Sequence, residues 1–328
     1  MSSFLFALGA VAPIILMVAI GYLIKKIKLA NADTAKTLNR LVFRIFLPCM
    51  LFLNVYKIDR IGDIDFGYIG FALIVLLIIF ALAIPCVMFV TKQGARRGVL
   101  LQAAFRSNYA LIGIPLAQSL FGDEGLTVAT LLSAAAIPAF NILAVISLTV
   151  FRNDEKKVSV KEILLGIIKN PLILSVLLGL ITLSLRALLI RVDIHFRLTD
   201  LEPLYTVLGY LSSLATPLSL LVLGIQFEFF AVRNMKKEIL FGTLARTVIA
   251  PVIAIGTAYV FLREQFGGAH FAAFVAMFAA PVAVSSVPMA QEMNGDSVLA
   301  GQLVVWTTLA SALTVFATSW LLKLAGVF

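Results

Sequence analysis

Four basic side chains, Arg44, Arg106, Lys169 and Arg246, fall inside long apolar stretches, and no acidic residue lies equally deep in any of them. A charge in hydrocarbon is costly and marks a functional candidate unless its stem carries it out to the headgroups. Each of the four lies within the first few turns of its stretch, so snorkelling accounts for them as well as function does, most readily for Lys169. Arg106 stands apart because Asn108 follows two residues later and Pro115 interrupts the same stretch. A guanidinium there can attract an anion and pair with it bidentately. The Asn108 amide needs a partner at that depth, either a ligand or a neighbouring helix. A second stretch is interrupted by Pro281 and Pro288, with Ser285 and Ser286 between them. Those hydroxyls either line a site or bond back onto their own helix. Asn141 is a further candidate for ligand contact, weighed against helix–helix bonding. Gln118 and Gln291 either offer amide oxygens to a coupling cation or bridge helices, although hard cations favour carboxylates as well.

Other chemistries find less support. Asp123 and Asp296 each follow a glycine immediately before an apolar stretch, where helix N-caps belong. The alternative is a pair of intramembrane aspartyl-enzyme carboxylates. Cys49 and Cys86, with His195 and His270, are too few for a disulfide framework or a metal centre. Both histidines are expected on the outer face in solvent. No cofactor, metal or enzymatic activity is expected.

The elements that position these residues follow from composition. The chain has 328 residues, 61% hydrophobic and 13% charged, with a mean hydropathy of +1.05. Soluble domains run at about 45–50% apolar and about 25% charged, so a water-soluble enzyme is excluded. Ten apolar stretches can be marked, at 4–24, 36–55, 66–91, 98–121, 124–151, 163–189, 203–227, 238–262, 268–291 and 297–322. The first has no basic residue before it and lysines after it, unlike a cleaved signal peptide. The net charge of +9 is divided unevenly between the loops. The loops after odd-numbered stretches hold 15 Lys and Arg, the others 7. The richer side is expected in the cytoplasm, which puts both termini outside. The charge therefore reads as orientation and not as a nucleic-acid patch.

The chain also repeats itself. Pro115-Leu116-Ala117-Gln118 with Gly122-Asp123 matches Pro288-Met289-Ala290-Gln291 with Gly295-Asp296 at a constant offset of 173 residues. Pro13 and Gly21 have the spacing of Pro171 and Gly179, and Leu47-Pro48 is answered by Thr216-Pro217. Two repeats of five spans, 1–151 and 163–328, must enter the membrane from opposite faces. The fold expected is therefore all-α and polytopic, with ten transmembrane helices in two inverted five-helix repeats. Spans four and nine are broken near mid-depth and cross. Paired breaks of this kind are the best sequence pointer to a transport site, and the positive ends of the half-helices beyond them favour an anion.

Short motifs add a resemblance. Asn39-Arg40-Leu41-Val42 with Leu47-Pro48, the run from Asn108 to Pro115 (Asn-Tyr-Ala-Leu-Ile-Gly-Ile-Pro), Ala280-Pro281-Val282-Ala283 and Thr307-Thr308-Leu309 together resemble the auxin efflux carrier family over the whole chain. That resemblance implies a fold like the bile-acid sodium symporters. It implies a scaffold of spans one, two, six and seven (about 4–55 and 163–227) that forms a homodimer, and a moving transport part (about 66–151 and 238–322) with an elevator motion. It carries a carboxylate-contacting role to Asn108 and, with wider proline spacing than the plant pattern, a crossover role to Pro281. Only residues 152–162 stand where many plant exporters have a long central loop, which favours the bacterial organic-anion permease branch over auxin itself. The function expected is secondary transport of a small carboxylate such as malate, malonate or an auxin-like acid across a bacterial inner membrane. Coupling to a proton, to sodium or to neither stays open. The partners expected are the anion, membrane lipid and a second copy of the chain, with no nucleic acid. The alternatives are an intramembrane aspartyl-type enzyme and a non-transporting receptor or channel.

Overall fold

A computed structural model describes residues 2–57, 65–152, 160–193, 196–228 and 230–328; His195 lies outside them. Helix α1 (Ser2–Lys26) is followed by α2 (Ala32–Leu41), which passes through a π-helical turn (Val42–Phe46) into α3 (Leu47–Tyr56). Then come α4 (Phe66–Val90), α5 (Gly94–Phe105), a second π turn (Tyr109–Gly113) and the long α6 (Ile114–Val150). The second half comprises α7 (Val160–Ile168), α8 (Pro171–Arg191), α9 (Glu202–Gln226), α10 (Ala231–Asn234) and α11 (Lys236–Leu244). A third π turn (Ala245–Ile249) leads into α12 (Ala250–Leu262), then α13 (Gly268–Phe278), α14 (Ser286–Glu292) and α15 (Ser297–Leu324). Among the described residues, seven helical runs are long and apolar enough to cross a membrane, and α13 is apolar but shorter. Among the described residues the structure is helical with no strand, as expected from composition. Its outer surface carries large exposed apolar side chains such as Leu77, Phe89, Phe261 and Leu313, as lipid contact requires.

Local chemistry sets the element ends. The side chains of Asn31, Asp65, Asn170 and Asp296 cap α2, α4, α8 and α15 by accepting from backbone amides, satisfying donors that no earlier turn can reach. Each π turn ends two residues before a proline, at Pro48, Pro115 and Pro251. Proline removes a backbone donor and clashes with the preceding turn; the wider turn relieves that crowding. Helix α6 bends where Phe121 and Gly122 leave helical geometry, and Gly122 takes φ +59. That bend falls between the stretches marked at 98–121 and 124–151.

Helices pack on small residues because hydrophobicity gives little drive between helices in lipid. At the crossing of α1 and α9, a Cβ on Gly224 would sit 2.1 Å from the Val18 carbonyl oxygen and 2.8 Å from the Gly21 Cα. The α3–α8 contact is built alike, with Gly179 against the Phe52 carbonyl and the Val55 side chain. At the far side of the bundle, Arg96 on α5 bonds to Glu238 on α11 (2.9 Å) and to Asp296 before α15 (3.1 Å), tying three helices together.

Candidate functional site

Helix α5 stops at Phe105 and α13 at Phe278, both amid apolar side chains. Backbone that leaves helical geometry at this depth must find partners inside the protein. The two interruptions supply them to each other. Ser107 and Val282 form an antiparallel bridge. The Asn108 amide donates to the Pro281 carbonyl at 2.7 Å, and the Ala283 amide to the Arg106 carbonyl at 3.4 Å. The Val282 amide donates to the Thr307 hydroxyl at 3.1 Å. The chain therefore crosses itself at the two proline-marked breaks.

Arg106 lies at this crossing and is 3% exposed. Its guanidinium donates to Gln102 Oε1 (3.0 Å), Asn141 Oδ1 (2.9 Å) and Ser285 Oγ (3.0 Å), and contacts Met289 Sδ at 2.9 Å. None of these partners is a carboxylate, so among the described residues its charge is solvated by neutral groups. Asn108 ends the break and begins the next half-helix without a side-chain cap bond. Its Nδ2, buried, has no hydrogen-bond partner among the described residues, and neither have Ser107 Oγ and Ser286 Oγ. Arg106, Asn108, Asn141 and Ser285 line one cavity of about 50 Å³ together with Met50 and Asn54 of α3. Small-molecule pockets run at roughly 300–1,000 Å³. As it stands, the cavity has room for about one or two waters.

A family described as membrane transport protein matches residues 6–318. The chain belongs to it, the family of the auxin efflux carriers. It is also similar to an uncharacterized transporter of Methanothermobacter thermautotrophicus, 25% identical over 317 residues, covering 92% of this chain and 93% of that one. The protein is thus an integral membrane transporter.

Within this transporter the expected site residues divide. Arg106, Asn108, Asn141 and Ser285 come together around one cavity. Pro281 contributes its carbonyl to the crossing. Pro115 is exposed and Pro288 buried; the Pro288 carbonyl accepts weakly from Asn39 Nδ2 at 3.4 Å. Gln118 is exposed, while Gln291 accepts from Gln226 Nε2 at 2.9 Å, so the repeat-related glutamines do not share a site. Asp296 caps α15 and pairs with Arg96 at the start of α5. Asp123 lines a cleft with His270 at the start of α13. Because α5 and α13 run toward the crossing from opposite sides, the two aspartates are not brought together. His270 is half-buried between Tyr68 and Phe266 rather than solvated.

Among the four basic candidates, Arg44 and Lys169 are exposed, as snorkelling requires. Arg246 departs from that reading. It is fully buried and donates to three backbone carbonyls, Phe105 (2.8 Å), Met277 (2.7 Å) and Ala280 (2.8 Å). Asn54 was also legible as a polar residue in the apolar run Leu47–Tyr56, but only the fold sets it opposite the crossing.

Proposed function

We propose that this transporter carries a small organic anion, a carboxylate such as malate, malonate or an auxin-like acid, by alternating access. The observation that carries the reading is Arg106. A buried guanidinium partnered by neutral groups, beside the unpartnered Asn108 Nδ2, is a ready receptor for a carboxylate. Charge-assisted bonds are roughly twice as strong as neutral ones, so an entering anion competes well for the Asn141 and Ser285 positions. The half-helix that begins beyond Asn108 adds a positive dipole end.

The same reading organises the fold. The seven long runs, with α1, the bend in α6 and the α13–α14 pair, make ten spans in two inverted repeats. The crossing of the breaks at corresponding positions supports that arrangement, as do the matched glycine contacts of Gly21 and Gly179. Residues 4–55 and 163–227 then form a scaffold, where a homodimer would assemble, and 66–151 and 238–322 a moving part. Support for an elevator motion comes from the cavity, whose walls belong to both: Met50 and Asn54 on one side, Arg106 and Asn108 on the other. Both termini face outward in a bacterial-type inner membrane.

The test is uptake by purified protein in liposomes of radiolabelled malate, malonate and indole-3-acetate, with proton and sodium gradients imposed separately. Saturable flux of at least one acid, lost in Arg106→Gln, is expected. Flux of cations or neutral solutes with no carboxylate transported overturns the assignment.

A further inference from the structure

Arg246 takes no part in the cavity, yet it is the most completely enclosed charge at the crossing. Its three acceptors have a common origin. Phe105 ends α5; Met277 and Ala280 lie in the last turn of α13 and just beyond it. These carbonyls have no helical partner because the helices stop there, and they form the negative ends of two half-helix dipoles. The guanidinium meets one carbonyl with each nitrogen, at 2.7–2.8 Å. Among the described residues no carboxylate touches it.

A cluster of backbone carbonyls at the C-terminal ends of broken helices is the kind of place where transporters hold a coupling sodium ion, and oxygen donors of this type suit a hard cation. In this chain the place is filled by a covalently attached cation that stays protonated. We propose that Arg246 is a resident counter-cation: it occupies the position a coupling sodium ion would take, holds the crossing together throughout the cycle, and makes the transporter independent of sodium. The inference deepens the transport reading by naming the coupling, and rests on that reading only for flux; the occupancy of the carbonyl cluster stands on the crossing alone. It also accounts for how the crossing, which carries Arg106 and Arg246 and no carboxylate bonded to either among the described residues, would take an anion without a co-bound metal ion.

The experiment compares wild type with Arg246→Ala, full length in detergent, by thermal unfolding in sodium chloride, choline chloride and choline chloride plus millimolar guanidinium chloride. The wild-type melting temperature should be the same in sodium and choline. Arg246→Ala should melt lower in choline, and guanidinium or sodium should restore part of the loss by filling the vacated cluster. A wild type stabilised by sodium over choline overturns the proposal, as does an Arg246→Ala variant that melts like wild type. So does a variant that melts lower but answers to neither cation. If Arg246→Ala does not yield folded protein, Arg246→Lys decides. Sodium-indifferent melting supports a resident cation, and stabilisation by sodium refutes it. Because the readout is unfolding, absence of carboxylate flux would sink the substrate assignment while leaving this result intact, and sodium binding would do the reverse.

Discussion

Asn108→Ala separates ligand contact from structural support by the signs of two effects. In the protein as it stands, Asn108 Nδ2 is buried without a partner. Such a donor costs about 1–3 kcal/mol in the folded state. Truncation removes that penalty together with a small side chain, so stability should hold or rise. With a carboxylate bound, the same amide would donate to a charged acceptor, worth roughly 1.5–3 kcal/mol. Losing it should raise Kd or KM by about 10- to 150-fold. Asn141→Ala is the control for a structural amide. Its Oδ1 accepts from Arg106 Nη2 and its Nδ2 donates to the Ile137 carbonyl, both at 2.9 Å, so its truncation should lower the melting temperature as well as weaken transport. The assay pairs thermal unfolding in detergent with concentration-dependent uptake in liposomes. A lower melting temperature for Asn108→Ala with unchanged KM would refute the reasoning, because the amide would then be holding helices together.

Three further outcomes are expected. Gly224→Ala places a Cβ 2.1 Å from the Val18 carbonyl oxygen; overpacking of this kind costs about 1–3 kcal/mol. It should lower the melting temperature, while Gly209→Ala on the same helix, with nothing within 4 Å, should not. Arg96→Gln leaves Glu238 and Asp296 facing each other without their shared cation and should destabilise more than Glu238→Gln, bounded by the roughly 3–5 kcal/mol of a broken buried pair; unfolding of both variants checks the order. Asn39→Ala combined with Gln226→Ala removes the bonds that tie α14 to α2 and α9, at about 0.5–1.5 kcal/mol each. In Ser285→Cys protein this pair should raise labelling by an impermeant maleimide applied from the α14 side, and unchanged labelling would show that these bonds do not restrict access to Ser285.

What the sequence revealed and what it concealed differ in kind. The cap at Asp296 and the interruption at Pro115 are local effects, decided by residues within a turn of one another, and were legible directly. The meeting of the two breaks was legible only through the constant repeat offset, because the repeat turns a long-range contact into a pattern. Arg246 shows where that route stops. A lone arginine early in an apolar stretch reads as snorkelling, and its actual acceptors are carbonyls 31, 34 and 141 residues away. Backbone carbonyls leave no trace in residue type. Gln118 and Gln291 match by repeat but not by surroundings: one is exposed, and the other bonds to Gln226, which is the helix-bridging alternative. Sequence symmetry constrained the path of the chain more tightly than the surroundings of each side chain.

The small cavity itself says how this transporter must work if it carries a carboxylate. At about 50 Å³ it cannot hold such a substrate, so one wall has to move. The wall carrying Arg106, Asn108 and Ser285 is held rigid from behind. The breaks bond to each other, Thr307 ties Val282 to α15, and Arg246 joins the ends of α5 and α13. Unwinding that wall would strand several buried polar groups at a cost of about 1–3 kcal/mol each. The Met50 and Asn54 wall on α3 meets the crossing without a comparable set of bonds among the described residues; polar ties from α2, its following π turn and α9 reach α14 instead, Asn39 to Pro288, Arg44 to Glu292 at 3.9 Å and Gln226 to Gln291. The least costly opening is therefore a displacement of the intact crossing against α3. Such a displacement is the motion that the proposed elevator would require, and the hydrogen bonds of the crossing would keep the moving part in one piece.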